Sequence, residues 1–397
     1  MVSAAILSYC QAAWSFFGLF RRPWLDHKSV TLSIANGCLK HSHSQTGPYE
    51  LPLDLTSRPV QLDMFAVLLF PFFVLSGLQL ALAASRTSPP AGAIVVRAGT
   101  TTAGEFSTIT AALNSLPNDS SSRSIFIFPG TYVEHIDITR TGPLKIYGYT
   151  TDTTTYSSNQ VTISFNEPAD VAGSDDASGT LRIHKDNFAL YNVNVKNTFG
   201  SGVQAIALSQ YGNQNGFYGC GFYGYQDTLY ANQGTQVYLK SYIEGAVDFI
   251  FGRQGSAYFG GNTIGVLRGG GSITASGRQS NDGGSCISRV LIDVFNKNTI
   301  VLGNGAASGT ADWAKVIFEN TVLNVAPNPA LWSVWDGNAT SVDHVINADF
   351  ATTGPGAASL KRASWAQLLT SSQAAQYSIS SAVGSTWSTW VDASYFV

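Results

Sequence analysis

The sequence predicts an all-β protein that folds as a parallel β-helix, and three observations point to this fold class. Charged residues make up only 12% of the 397 residues, whereas Gly numbers 39 and aromatic residues supply a further 12%. This composition suits short strands and tight turns better than a helical bundle. Runs of apolar and aromatic residues that end in Asn or Gly recur about every 20 residues, which is typical of a solenoid with stacked coils. The runs lack intervening helices and Asn-Gly hairpin turns, which favours a β-helix over a sandwich.

Composition also narrows the function. Lys and Arg number 22 against 25 acidic residues, so the net charge is only −3. This balance argues against a protein that binds nucleic acid or another polyanion through bulk charge. A surface rich in neutral polar and aromatic residues suits sugars instead. Hydrophobic residues make up 44% of the chain, which is enough to build a sizeable core and argues against disorder.

The N-terminal region carries a secretion signal in an unusual place. Residues 65–84 are uncharged, follow Met64 and end in Ala-Leu-Ala, a pattern typical of a cleaved signal peptide. Either translation starts at Met64 and residues 1–63 are an artefact, or residues 65–84 are a signal anchor of nearly membrane-spanning length. Pro71 and the small residues at the end favour cleavage. We therefore interpret 64–84 as a signal peptide and 85–397 as an extracellular β-helix catalytic domain.

Two further features bear on the secreted chain. After cleavage the chain retains Cys220 and Cys286, which form one disulfide or remain two buried thiols. Asn118-Asp-Ser and Asn338-Ala-Thr are acceptor sequences for N-glycosylation.

The predicted elements follow the chain in order. A helix is expected near the start of the domain, over Glu105–Leu116. Short strands are expected at Ser124–Phe128, Leu144–Tyr149, Val161–Phe165, Leu181–Ile183, Ala189–Val195 and Ala205–Ser209. The repeat is clearest in four segments whose tyrosines Tyr191, Tyr218, Tyr238 and Tyr258 stand 27, 20 and 20 positions apart. The tail 363–397 is expected to pack over the solenoid or its end.

Two aspartates recur with the period of the solenoid. Asp227 lies in GYQDTLY and Asp248 in GAVDFIFG, 21 positions apart. Gln204 and Gln226 are 22 positions apart. Because stacked coils lie about 4.8 Å apart, these spacings predict two carboxylates and two amides on one face of adjacent coils.

Such a group of side chains has a clear chemical use. Two carboxylates at close range do not both ionise easily, so one can act as an acid while the other attacks. The amides can donate hydrogen bonds to a developing oxyanion. The aromatic residues Tyr225, Tyr230, Phe249 and Phe251 suit walls against which a sugar stacks. The alternative is that each aspartate merely caps a turn between strands.

The same motifs resemble a known family. GYQDTLY, GAVDFIFG, VQAIAL (203–208) and TASGRQ (274–279) are similar to signature regions of pectin methylesterases, especially fungal ones, and the similarity runs from about Ile94 to Val397. The resemblance implies a right-handed parallel β-helix that hydrolyses methyl esters of homogalacturonan and releases methanol. The resemblance also implies that the enzyme needs neither a metal nor an organic cofactor. We expect a monomer that binds pectin and no nucleic acid.

The resemblance also implies roles for individual residues. Asp248 matches the nucleophile that forms a covalent acyl-enzyme. Asp227 matches the acid that protonates methanol and then activates water. Gln226 and Gln204 match the amides that stabilise the oxyanion, and the aromatic residues Tyr230 and Phe251 remain candidates for substrate binding.

The family pattern is broken at one place. The family carries a Gly-Arg-Pro-Trp motif whose Arg holds the nucleophilic carboxylate and whose Trp lines the cleft. Here segment 303–310 runs directly into 311–321, and no Gly-Arg-Pro-Trp occurs in the chain. Segment 287–293, by contrast, looks like a short insertion. Together with the unusual N-terminus, this loss and gain suggest exon boundaries that were assigned wrongly.

The missing motif has a predicted cost. Without the Arg we expect the pKa of Asp248 to rise and its orientation to loosen, so that activity is impaired or lost. Arg253 and Arg278 lie nearby in sequence, but neither replaces the missing residue position by position. Two alternatives therefore stay open: a pectin-binding β-helix without activity, and a β-helical polygalacturonase that uses paired acids. The glutamines favour ester chemistry, because glycoside cleavage needs no oxyanion hole.

Overall fold

The chain winds through coils of short strands, and each strand pairs in parallel with the equivalent strand of the next coil. The computed structural model describes residues 84–278, 286–293, 301–304, 313–324, 326–334 and 344–396, with the backbone alone for 286–293 and 301–304. These residues belong to a unit that spans Leu80–Val397. The predicted parallel β-helix is confirmed.

The strands form a larger and a smaller sheet. The strands of the larger sheet are β1 Ile94–Val96, β2 Glu105–Phe106, β3 Arg123–Ile127, β4 Gly130–Val133, β6 Leu144–Gly148, β7 Val161–Phe165, β9 Phe188–Tyr191, β10 Asn194–Asn197, β12 Asn215–Tyr218, β13 Gly221–Tyr223, β15 Gln233–Leu239, β16 Tyr242–Gly245, β18 Gln254–Val266, β20 Cys286–Asp293, β22 Lys315–Glu319, β23 Val322–Leu323, β25 Ile346–Phe350 and β26 Gln367–Leu368. The strands of the smaller sheet are β5 Ile136–Ile138, β8 Leu181–His184, β11 Leu208–Tyr211, β14 Leu229–Ala231, β17 Ile250–Gly252, β19 Ser272–Ser276, β21 Val301–Asn304 and β24 Trp332–Ser333.

Helices are short and lie outside the sheets. They are α1 Ile109–Asn114, α2 Ala169–Ala172, α3 Ser371–Ala374 and α4 Ile379–Val383. The predicted helix Glu105–Leu116 is therefore shorter than expected, because Glu105–Phe106 joins the sheet and Thr108 caps the helix by accepting a hydrogen bond from Ala111 N. In the part of the chain that the structure describes, no helix has the length and apolarity needed to cross a membrane.

Aromatic rings stack inside the coils at the coil spacing. Phe217, Tyr238 and Phe259 pair in register, with ring centroids 4.8 and 4.6 Å apart and planes within 8°. These positions repeat every 21 residues. Tyr191 and Tyr218 do pair, but the predicted column fails beyond them. Tyr238 aligns with Phe217, and Tyr258 aligns with Val237. The reason is that these coils repeat every 21 residues, whereas the last three tyrosines are 20 residues apart.

Strand boundaries differ from the predictions where the chain bends. Val161–Phe165 is confirmed as β7. The single strand expected over Ala189–Val195 is two strands, because Asn192 has a φ of 51° and turns the chain between β9 and β10. The strand expected at Ala205–Ser209 begins later, at Leu208. Segment 287–293, interpreted as an insertion, lies in β20 and pairs with β18 along its length.

Cys220 is a free thiol rather than half of a disulfide. It is fully buried and lies 3.4 Å from the backbone oxygen of Leu190. Burial raises the pKa of the Cys220 thiol to about 12, so the group stays protonated and inert. Asn118 is exposed, whereas Asn338 lies outside the described residues.

The C-terminal tail packs against the side of the larger sheet. Asp392 N donates to Tyr218 Oη at 3.0 Å, and Tyr395 Oη donates to Asn192 Oδ1 at 3.2 Å. The ring of Tyr395 lies 5.2 Å from that of Tyr218. Arg86, near the start of the described chain, donates to Asn192 Oδ1 at 3.0 Å. The tail thus covers a row of tyrosines on the side of the solenoid. The sequence predicts a position for it either there or over the end of the solenoid.

Candidate active site

Asp227 and Asp248 occupy equivalent turns just ahead of β14 and β17. Gln226 bridges to Val247 of the next coil, and Asp227 N donates to Val247 O at 3.0 Å. Asp227 has a φ of 63° and Asp248 a φ of 49°, so both turns use the left-handed conformation that Asp tolerates better than most residues. The two aspartates therefore lie on adjacent coils, about 4.8 Å apart along the axis.

The two carboxylates differ in their surroundings. Asp227 is only 8% exposed, whereas Asp248 is half-buried. Burial raises the pKa of Asp227 to about 8, and the charges of Asp248 and then Asp175 add to that rise. Asp227 therefore carries a proton at neutral pH, which is the state required of a general acid.

The glutamines lie on the same face of neighbouring coils. Gln226 O accepts a hydrogen bond from Ala205 N at 3.1 Å, and Gln204 O accepts one from Ala169 N at 2.8 Å. These backbone bonds place Gln204 one coil before Gln226. Both residues are half-buried, so their side chains remain partly accessible to solvent.

An aromatic floor, made of the largely buried Tyr230 (8% exposed) and the half-buried Phe251, lies three residues beyond each aspartate in the chain. Tyr230 and Phe251 pair in register on the smaller sheet, and their rings stack at 4.3 Å with an angle of 8°. Tyr211 meets Tyr230 edge to face at 6.0 Å. Phe249, expected as a wall, is instead fully buried in the hydrophobic core just ahead of β17. Tyr225 is half-buried, and Arg268 Nη1 donates to its hydroxyl at 3.4 Å.

The two arginines near the site are placed differently. Arg278 is 4% exposed, donates to Gly255 O from Nη2 and lines a small cavity together with Phe251. Arg253 is exposed, and its backbone N donates to Asn232 Oδ1 at 3.2 Å. The position where the Gly-Arg-Pro-Trp motif would fall, 305–312, lies outside the described residues.

The structure adds an acidic turn that sequence reasoning missed. Asp176 Oδ1 accepts from Ser209 Oγ at 2.6 Å and lies 3.2 Å from His184 Nε2, while Asp137 Oδ1 lies 2.7 Å from His184 Nδ1. Asp176 and Asp137 raise the pKa of His184. The available signal was the pair of adjacent acids in GSDDASG ahead of a predicted strand.

A buried acid stacked beside a second carboxylate on a parallel β-helix defines a hydrolase-like site. The sequence profile of the family described as Pectinesterase matches residues 93–386. A pectinesterase of Aspergillus aculeatus is 40% identical over 331 residues, which cover 80% of this chain and 96% of that protein. A pectinesterase A of Emericella nidulans is 40% identical over 314 residues, 78% of this chain and 92% of that protein.

Solved structures agree with these relatives. The crystal structure of the Aspergillus niger pectin methylesterase superposes on this chain with a TM-score of 0.70 at 37% identity. The match covers 79% of this chain and 100% of that one. The carrot pectin methylesterase shares the fold, with a TM-score of 0.67 over 78% of this chain and 98% of that one at 24% identity. The chain belongs to the pectinesterase family.

Proposed function

We propose that this protein hydrolyses the methyl esters of homogalacturonan in plant cell-wall pectin, releasing methanol. One observation carries the assignment: Asp227 and Asp248 lie at equivalent turns of adjacent coils, where burial and the second carboxylate raise the pKa of Asp227. Family membership supports the substrate class.

In the first half of the reaction, a carboxylate oxygen of Asp248 attacks the ester carbonyl carbon. The carbonyl electron pair moves to oxygen, and the amides of Gln204 and Gln226 donate hydrogen bonds to that oxyanion. Collapse breaks the bond from carbon to the methoxy oxygen, which takes the proton of Asp227 and leaves as methanol. The galacturonyl group stays on Asp248 as an acyl-enzyme.

In the second half, Asp227 is a carboxylate and accepts a proton from water as the water attacks the acyl carbon. The bond to Asp248 breaks, which frees its carboxylate and leaves a carboxyl group on the sugar. Because the first half needs the proton on Asp227, methanol release should fall as pH rises through about 8. The stack of Tyr230 and Phe251 would hold the neighbouring pyranose rings.

The absence of Gly-Arg-Pro-Trp from the sequence favours a second candidate, a pectin-binding β-helix with impaired catalysis. The two are separated by measuring methanol release from highly methylated pectin by the purified protein beside its Asp248→Ala variant. Release that disappears in the variant supports catalysis. Binding without release by a folded chain supports the second candidate, and insertion of a Gly-Arg-Pro-Trp segment then tests whether the missing motif is the cause. New reducing ends would indicate a polygalacturonase instead.

We also infer that the enzyme acts outside the cell as a monomer, with residues 64–84 removed as a signal peptide. The uncharged run 65–84 and the sequon at Asn118 support this view. N-terminal sequencing of the protein from culture medium should find a start near Ser85. An intact 1–84 segment would contradict secretion.

A further inference from the structure

A short acidic turn borders the aromatic floor at its N-terminal side. After α2 the chain turns at Gly173, with a φ of 91°, and forms a 3-10 turn over Asp176–Ser178. Ser209 Oγ donates to Asp176 Oδ1 at 2.6 Å, and Ile206 N donates to Ser178 Oγ at 3.2 Å. Both anchors lie on the coil that precedes Tyr230, so the turn is fastened directly beside the floor.

This anchoring places Asp175 among the groups of the site. Ser178 Oγ donates a hydrogen bond to the backbone oxygen of Asp175 at 2.8 Å. The side chain of Asp175 is half-buried. Its charge acts on Asp227, Tyr211 and Tyr230. The charge of Asp175 thus affects three residues of the site, although Asp175 has no part in the proposed chemistry.

Arg253 brings the opposite charge to the same floor. It follows β17 directly after Phe251 and Gly252, and its side chain is exposed. Its charge acts on both Asp175 and Tyr230. No ion pair within 4.0 Å joins Asp175 and Arg253 among the described residues, so the two charges flank the floor without neutralising each other by contact.

The ligand expected on this floor varies in charge at each sugar. A residue of homogalacturonan carries either a neutral methyl ester or an anionic carboxylate, with little change in shape. An anionic carboxylate near Tyr230 would be repelled by Asp175 and attracted by Arg253. We propose that Asp175 and Arg253 are opposing specificity determinants, which together set how readily the enzyme accepts a free carboxylate on the sugar beside the scissile ester. This inference rests on the proposed function.

The test compares two substrates made from one polymer, highly methylated homogalacturonan and the same polymer after random removal of half of its esters. The measured quantity is the ratio of kcat/KM for the first substrate to that for the second. Asp175→Asn should lower this ratio about three- to fivefold, and Arg253→Gln should raise it by a similar factor, as expected of one unit charge at a solvated cleft. The double variant should return close to the wild-type ratio, and high salt should shrink both changes.

Matched controls remove the same charges elsewhere. Asp170→Asn in α2 and Arg123→Gln in β3 alter exposed residues, so both should leave the ratio unchanged. Asp175→Ser replaces the Asn variant if thermal unfolding shows that the Asn variant does not fold. Equal losses on both substrates in the Asp175 and Arg253 variants would overturn the proposal, since they indicate a structural role alone. The ratio of Kd values for the two polymers tests the same charges in a protein that releases no methanol, so that failure of catalysis and failure of selection are told apart.

Discussion

Two corners of the coils share the left-handed backbone conformation but carry residues with different roles. At the corner between the two strand columns of the larger sheet, Asn192, Gly219, Lys240 and Gly261 have φ values of 51°, 57°, 51° and 61°. They follow residues that pair in register. At the corner ahead of the smaller sheet, Asp227 and Asp248 have φ values of 63° and 49°. The geometry is nearly the same, but the residues are not.

The difference lies in what each corner does for stability. Gly and Asn take the left-handed conformation at the least cost, so three of the four residues at the first corner match the backbone. At the second corner a carboxylate is buried beside another, and the raised pKa of Asp227 records an unfavourable environment for its charge. Residues at the first corner suit the fold, whereas those at the second reduce stability in exchange for chemistry.

The largest expected effect comes from Asp248. Asp248→Asn keeps the shape of the turn but removes the nucleophile, so kcat/KM for methanol release should fall on the order of 10⁴-fold or more. Urea unfolding should show that the variant remains folded. A variant that retains most of its activity would mean that Asp248 only caps a turn.

A smaller loss is expected at the amides. Gln226→Ala removes one donor to the oxyanion and should lower kcat about 10²- to 10³-fold, with little change in KM. The exposed Gln376 provides a matched control, and Gln376→Ala should leave the kinetics unchanged. A rise in KM alone would assign Gln226 to substrate binding instead.

Stability should respond at Asp227 in the opposite direction to activity. The folded-state pKa of Asp227 is about 8 and the unfolded value is about 3.9, so the folded protein holds a proton that the unfolded chain releases. Wild-type stability therefore falls as pH rises from 4 to 8, whereas Asp227→Asn has no such loss. We expect the variant to be more stable by on the order of 5 kcal/mol at pH 8 and by little at pH 4, measured by urea unfolding. A constant difference across this range would contradict the raised pKa.

The smallest effect tests the first corner. Lys240 carries a side chain in the left-handed conformation, so Lys240→Gly should relieve strain and raise the free energy of unfolding by about 0.5–1 kcal/mol. Gly substituted for the neighbouring Leu239, which lies in β15, should be destabilising. Activity should not change in Lys240→Gly, because this corner is remote from the aspartates in the coil. Destabilisation by Lys240→Gly would show that its side-chain contacts outweigh the backbone cost.

The sequence predicted the coil better than its corners. Composition and the repeat of about 20 residues lead to the parallel β-helix, because stacking makes each coil repeat its neighbour. The break at Asn192 was missed, since a single residue with positive φ interrupts an apolar run without changing its pattern. The one-residue drift of Tyr238 and Tyr258 was missed because Tyr and Phe alternate in one stack.

The candidate site was only partly accessible from sequence. Spacing by one coil brought Asp227 and Asp248 together because register follows the period. The positions of Asp175 and His184 relative to the site depend on a turn that packs against the smaller sheet. The repeat of the sequence gives no information about where such a turn packs. Phe249 was assigned to the wrong face because aromatic character alone does not distinguish inward from outward positions.

The tail has a consequence for biosynthesis. Each coil forms by contact with its neighbours, so a chain emerging from the ribosome can fold coil by coil. The hydrogen bonds from Asp392 to Tyr218 and from Tyr395 to Asn192 span 174 and 203 positions, so they form only after the coils between them have been synthesised. A truncated chain would leave the tyrosine row exposed to chaperones and proteases. Docking of the tail therefore comes late in folding and covers the tyrosine row after the coils beneath it have stacked.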